Sequence, residues 1–196
     1  HAGRLLPWLD LIGEADEWCS LANYSYNNPE YTFPVVTETE MRMKAVQLAH
    51  PLLSPSERVS SDVTVGDDFK IMIITGANMA GKSTFLRAIG VNVVLALSGA
   101  PVCAREFSCP LIEIRSGMRT ADSLKDHQSY FYAELHRLQS IMNELRSGKP
   151  MLILLDEILK GTNSTDKQNG SMALVKQLVS LPCLALIATH DILLGE

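Results

Sequence analysis

The chain has 196 residues, 46% of them hydrophobic and 20% charged, with a formal net charge of −5. That length suits one domain, or one domain with a piece of its neighbour, and the apolar content can build a sizeable core. The acidic balance argues against a surface that grips nucleic acid by itself, and no apolar run approaches the roughly 18 residues of a membrane span.

The four cysteines, Cys19, Cys103, Cys109 and Cys183, form no C-x-x-C pair and no zinc-type spacing with histidine. Reduced thiols in a cytoplasmic protein are therefore expected. The opening HAGRLLPWLD has neither an initiator Met nor a signal-peptide pattern, so it reads as a piece of a longer chain.

From Pro7 to Ala22, apolar residues fall at Trp8, Ile12, Ala15, Cys19 and Ala22, with Leu11 and Trp18 alongside. This spacing predicts a helix, with Pro7 in its first turn. NNPEYTFP breaks it with two prolines. MRMKAVQL places Met41, Met43 and Ala45 on one side, as a strand does. HPLLSPSER reads as a loop.

Beyond Gly66 the pattern changes. IMII, from Ile71 to Ile74, is a short apolar run of the kind buried in a parallel sheet. Phe85, Ile89, Val93 and Ala96 then recur at helical spacing, as do Phe131, Leu135, Leu138, Met142 and Leu145. MLILL is a second buried strand, Leu174 and Leu178 mark a third helix ended by Pro182, and LALIAT is a last strand. Strands alternating with helices predict an α/β fold with a mostly parallel, doubly wound sheet.

GANMAGKST, from Gly76 to Thr84, follows IMIIT and contains G-x-x-x-x-G-K-[ST]. Gly76 and Gly81 let the backbone turn so that successive N–H groups face a phosphate. The amides around Met79, Ala80 and Thr84 belong to the same cradle, and the helix that follows favours an anion at its N-terminus. Lys82 is expected to reach the terminal phosphates and Ser83 to ligate Mg²⁺. A chance match in a glycine-containing turn is the bland alternative, and the strand before and helix after weigh against it.

LILLDE ends a buried strand in Asp156 and Glu157. In a P-loop fold Asp156 holds Mg²⁺ and Glu157 activates the attacking water. An acidic pair at a strand end is common by itself; its partnership with the loop at 76 to 84 gives it meaning. His190 follows the last strand, either as a structural residue or as a sensor of the γ-phosphate. Ser129 is either a plain helix N-cap or a cap on a phosphate bound by a second subunit.

These elements in this order resemble the ATPase domain of the MutS family of DNA mismatch-repair proteins. The resemblance rests on ITGANMAGKSTFLRAI, SGAPVCA, RTADSLKDHQSYFYAEL, LILLDEILKGTNSTD and ATHD, with AHP at 49 to 51 as a lead-in. It covers roughly residues 40 to 196. It implies an ABC-ATPase-like P-loop fold over residues 31–196, preceded at 1–30 by the end of a helical lever. It adds Asn78 to the phosphate loop. It implies a head-to-tail dimer, a homodimer or a pair with a MutS-like partner, in which each ATP lies between the P-loop of one subunit and the Ser129 segment of the other. Mismatched or branched DNA would be bound through other domains, with no membrane contact.

The sequence also departs from the family. Of the signature D-x-L-x-S-G-x-S-T-F-x-x-E, Asp122, Leu124, Ser129, Phe131 and Glu134 match, while Asp126 and His127 replace Ser-Gly and Tyr130 replaces Thr. Where the family places an aromatic over adenine, RVSSD has Val59. A divergent member with slow turnover is expected. The alternatives are a MutS-like ATPase that has lost mismatch recognition and a transporter-type ATP-binding subunit. The second would carry an LSGGQ-like stretch, where this chain has DHQSY.

Overall fold

A computed structural model describes residues 5–77, 79–118, 130–159 and 163–190. Its elements are α1 (Leu5–Asn27), β1 (Val35–Thr37), β2 (Arg42–Leu48), β3 (Ser61–Gly66), β4 (Ile71–Thr75), α2 (Lys82–Leu97), β5 (Glu106–Pro110), β6 (Glu113–Gly117), α3 (Tyr130–Arg146), β7 (Met151–Asp156), α4 (Ser164–Val179) and β8 (Cys183–Thr189). The strands form two sheets. One has the order β4-β8-β7-β6, with every pair parallel. The other has the order β1-β5-β2-β3 and is antiparallel except for the β1–β5 pair.

The parallel sheet is buried on both faces, which explains why its inner strands read as unbroken apolar runs. Alternate residues of β7 enter different cores. Leu152 and Leu154 pack with Leu184 and Leu186 of β8, with Leu86, Ile89 and Val93 of α2, and with Met43, Val63, Val65 and Phe107 of the other sheet. Met151, Ile153 and Leu155 pack instead with Ile141, Met142 and Leu145 of α3 and Leu178 of α4. The layers are therefore the antiparallel sheet with α2, then the parallel sheet, then α3 and α4. Helix α2 lies close on β7 at Gly90, where a Cβ would meet Leu154 Cδ1 at 2.9 Å. Helix α3 is also pinned to β6, where Arg115 Nε donates to Glu144 Oε2 at 2.8 Å.

Each expected strand and helix is present, with two differences of detail. IMII lies in β4, but its residues are half-buried, because β4 is an edge strand of the described parallel sheet. The first helix is longer than the spacing predicts, running to Asn27, and none of its side chains is buried. Leu5, Leu6, Trp8, Leu9, Leu11, Ile12 and Trp18 all face solvent. Its far end is rooted where Tyr24 packs on Tyr31, Ala49 and Cys103. The two tyrosine rings meet edge-on at 6.0 Å, and the Arg58 guanidinium lies 5.3 Å from the Tyr31 ring centre.

The antiparallel sheet was largely illegible in the sequence. Strand β2 shows why. Met43 and Ala45 face the core, but the next inward residue is Leu48, because a bulge at Gln47 (φ 53°) inserts an extra residue and resets the alternation. The Gln47 amide is held there by Asp62 Oδ1 at 2.8 Å. Strands β3 and β5 each send few side chains inward, chiefly Val63 with Val65 and Phe107 with Cys109.

All four cysteines are free thiols, and burial pushes those of Cys109 and Cys183 up to about 11. Cys103, Cys109 and Cys183 are buried and behave as small core hydrophobes, whereas Cys19 is exposed.

A buried side-chain amide joins α2 to the segments that flank β2 and β5. Asn92 is fully buried; its Nδ2 donates to Ala49 O at 2.9 Å and Ala88 O at 2.7 Å, and its Oδ1 accepts from the Cys103 amide at 2.7 Å. Removing one partner of a buried pair leaves the other desolvated and unpaired. Asn92→Ala should therefore destabilise the fold by about 1–3 kcal/mol for each group left unpaired. Urea unfolding checks this, and an unchanged midpoint would show that the amide is dispensable.

Candidate functional site

The register of the parallel sheet brings three strand ends together. Thr75 at the end of β4 pairs with Thr189 at the end of β8, and Asp156 at the end of β7 pairs with Ala188. The loop after β4, His190 after β8 and the acidic pair of β7 therefore share one edge of the sheet. Carboxyl ends of parallel strands are where open α/β sheets hold ligands.

The loop after β4 turns through left-handed backbone at Met79 (φ 63°) and Gly81 (φ 88°, ψ 5°). Glycine adopts that conformation without cost at position 81. Met79 adopts it with its side chain in solvent, so its contribution to the loop lies in the backbone. Gly81 is the N-cap of α2 and has no side chain to cap it; the first backbone bond there runs from Phe85 N–H to Gly81 O at 2.9 Å. The amides of Lys82, Ser83 and Thr84 thus form an uncapped helix N-terminus, a favourable place for an anion.

Lys82 is the first residue of α2 and is buried to 8% relative exposure. A buried ammonium must be hydrogen-bonded. Its Nζ donates to Gly76 O at 2.7 Å and Ala77 O at 2.8 Å, and lies 3.4 Å from His190 Nδ1. The other ring nitrogen of His190, Nε2, pairs with Glu157 Oε1. A neutral ring that donates from Nε2 to the carboxylate presents its Nδ1 lone pair to the ammonium. His190 Nδ1 is also 3.3 Å from Gly76 O, the contact a protonated ring would make. The imidazole therefore stands between the Lys82 ammonium and the Glu157 carboxylate.

Glu157 follows β7 in left-handed backbone (φ 54°), with its N–H donated to Ala188 O at 2.8 Å. Asp156 and Ser83 are half-buried at the same edge. A carboxylate and a hydroxyl are hard oxygen donors suited to Mg²⁺, which takes few protein ligands and keeps water or phosphate for the rest. Among the described residues no group of three or more His, Cys, Asp or Glu converges to hold a metal. An ammonium, an uncapped helix N-terminus and two hard oxygen donors at one edge of the sheet fit a nucleoside triphosphate with its magnesium.

Of the expected residues, Gly76, Met79, Ala80, Gly81, Lys82, Ser83, Thr84, Asp156, Glu157 and His190 lie at this edge. Asn78 and Ser129 lie outside the described residues, as does most of the signature segment. Val59, at the position expected to face adenine, is 83% exposed. One contact had no sequence signal: the Leu159 amide donates to Glu134 Oε1 of α3 at 2.6 Å. Glu134 matches the signature pattern, but spacing alone does not say what it reaches.

Residues 72–195 match the family model of MutS domain V. The chain belongs to the MutS family. It is 33% identical over 175 residues to the DNA mismatch repair protein MutS of Thermotoga neapolitana, covering 88% of this chain and 22% of the relative. It is 32% identical over 193 residues to the MutS of Thermotoga maritima, covering 97% and 24%, and 31% identical to MutS 1 of Haloarcula marismortui, covering 97% and 20%. The chain thus spans about a fifth to a quarter of the length of these relatives. Its sequence is that of a divergent member. MutS domain V is a P-loop ATPase-type domain, and the parallel sheet with helices on both faces accords with that architecture.

Proposed function

We infer that this chain binds ATP with Mg²⁺ and hydrolyses it, as the ATPase part of a MutS-type protein. One observation carries the inference. A buried P-loop lysine and a strand-end carboxylate meet on the same imidazole, at the carboxyl edge of a parallel sheet.

The phosphates would lie in the loop from Gly76 to Thr84, Asn78 included, against the N-terminus of α2. Lys82 would exchange two neutral carbonyl acceptors for phosphate oxygens, and charge-assisted bonds of that kind are about twice as strong as neutral ones. Ser83 and Asp156 would hold Mg²⁺, which when bound neutralises charge on the phosphates. Glu157 would take the proton of the attacking water. His190 would hold that carboxylate from one side and face the phosphate loop from the other, a position suited to sensing the γ-phosphate.

The relatives are named as DNA mismatch repair proteins, which supports a role in that process. In this reading residues 1–30 are the end of a lever and residues 31–196 the ATPase domain. Two copies, or one copy and a MutS-like partner, close on ATP, with Ser129 reaching the nucleotide of the other subunit. Mismatched or branched DNA is held by other parts of the protein. A cytoplasmic setting accords with this role, and no described helix is long and apolar enough to cross a membrane. The replacements Asp126, His127 and Tyr130 in the signature favour a second reading, in which the same motor serves a MutS-like protein without mismatch recognition. Membership of the MutS family sets aside the transporter-type alternative.

Lys82→Ala should weaken ATP binding by about 10–100-fold, the worth of one or two bonds to a charged group. Titration with a fluorescent ATP analogue measures this, and undiminished affinity would remove the phosphate assignment. Glu157→Gln should bind ATP normally but turn over about 10²–10⁴-fold more slowly. Steady-state phosphate release at wild-type rate would point to a different base. Mixing inactive Lys82→Ala with inactive Ser129→Ala should restore activity, because one composite site in the mixed dimer is intact. No recovery would argue against a shared site.

A further inference from the structure

The segment that carries Glu157 is held in an unfavourable shape. Glu157 (φ 54°) and Leu159 (φ 58°) both adopt left-handed backbone, and neither is glycine. Such residues persist only where their surroundings over-determine them, and they gather at functional sites. At Glu157 one restraint is its amide bond to Ala188, and its carboxylate pairs with His190. At Leu159 there are two restraints from different helices. Its amide donates to Glu134 Oε1 of α3 at 2.6 Å. Its side chain, 6% exposed, lies against α4 so closely that a Cβ on Gly170 would meet Leu159 Cδ1 at 2.6 Å.

Glu134 is an unusual choice for an anchor. Its Oε1 takes the Leu159 amide, while its Oε2 is buried with no hydrogen-bond partner. Burying a carboxylate oxygen unpaired is costly, so packing alone does not account for it. The helix that bears it is fixed elsewhere by Ile141, Met142 and Leu145 in the core and by the Arg115–Glu144 pair. The carboxylate thus reaches the loop from a firm base.

We propose that Glu134 is a positioning residue for hydrolysis: through the Leu159 amide it holds the strained turn that aims the Glu157 carboxylate. The proposal rests on Glu157 as the group that activates water. Among the described residues no hydrogen bond or ion pair links Glu134 to Lys82 or to the loop that precedes it, so its loss should affect turnover and leave nucleotide binding in place.

The test uses the full chain carrying Glu134→Ala, Glu134→Gln or Glu157→Gln, with MgATP turnover, binding of a fluorescent ATP analogue, thermal melting and amide exchange of the 157–159 segment. Glu134→Ala should lower kcat by about 10–100-fold, the usual effect of losing a supporting contact, with KM and analogue affinity within about twofold of wild type. Exchange at the Leu159 amide should quicken by about tenfold or more. Glu134→Gln keeps an oxygen acceptor and should recover most of the turnover and the protection. Wild-type turnover and exchange in Glu134→Ala, with Glu157→Gln slow, would overturn the proposal. So would parallel loss of affinity, turnover and melting temperature with no rescue by Gln, the mark of a purely structural role. Normal turnover in Glu157→Gln is a separate failure, which removes the base on which the proposal stands.

Discussion

Strand β8 lies between β4 and β7, and its hydrogen bonds to both set where every charged group of the site can be. Thr75, Thr189 and the Asp156–Ala188 pair lie at the same level. The residues that follow therefore leave the sheet side by side. A one-residue slip of β8 would exchange the two cores, sending Cys183, Ala185 and Ile187 toward α2 and Leu184 and Leu186 toward α3 and α4. It would also carry His190 away from Lys82 and Glu157. Two differently shaped cores thus specify one register, and that register assembles the site.

Burial then dictates the pairing within the site. The Lys82 ammonium is nearly excluded from water and is met by two carbonyls and an imidazole. The imidazole is in turn met by Glu157. The positive and negative groups are linked through one ring, so any change at Lys82 also changes what His190 and Glu157 face. The left-handed residues at 157 and 159 belong to the same economy of space: Ile158 and Leu159 are buried under α3 and α4, and their packing holds a turn that the backbone alone would not choose.

Away from the site, α1 shows a pattern that only the structure distinguishes. Its helical spacing reads like a core helix, yet its apolar side chains face solvent and only the Tyr24 end is packed. From that end a run of contacts passes through Tyr31, Ala49 and Cys103 to Asn92 of α2, the helix that begins at the P-loop.

What the sequence by itself determined is three strands of the parallel sheet, β4, β7 and β8, with its flanking helices and the G-x-x-x-x-G-K-S loop; β6, half-exposed at the edge, carried no such signal. Runs such as MLILL and LALIAT are legible because burial on both faces demands apolar residues at every position. G-x-x-x-x-G-K-S is legible because backbone geometry and charge demand those residues at that spacing. Tertiary structure alone decided the rest. The antiparallel sheet was hidden because β3 and β5 send few side chains inward and a bulge at Gln47 breaks the alternation of β2. The meeting of Lys82, His190 and Glu157 depends on which strands are neighbours. The bond from Leu159 to Glu134 depends on where α3 packs. Local patterns record which way a side chain must face, but contacts between distant segments are made by the packing of layers.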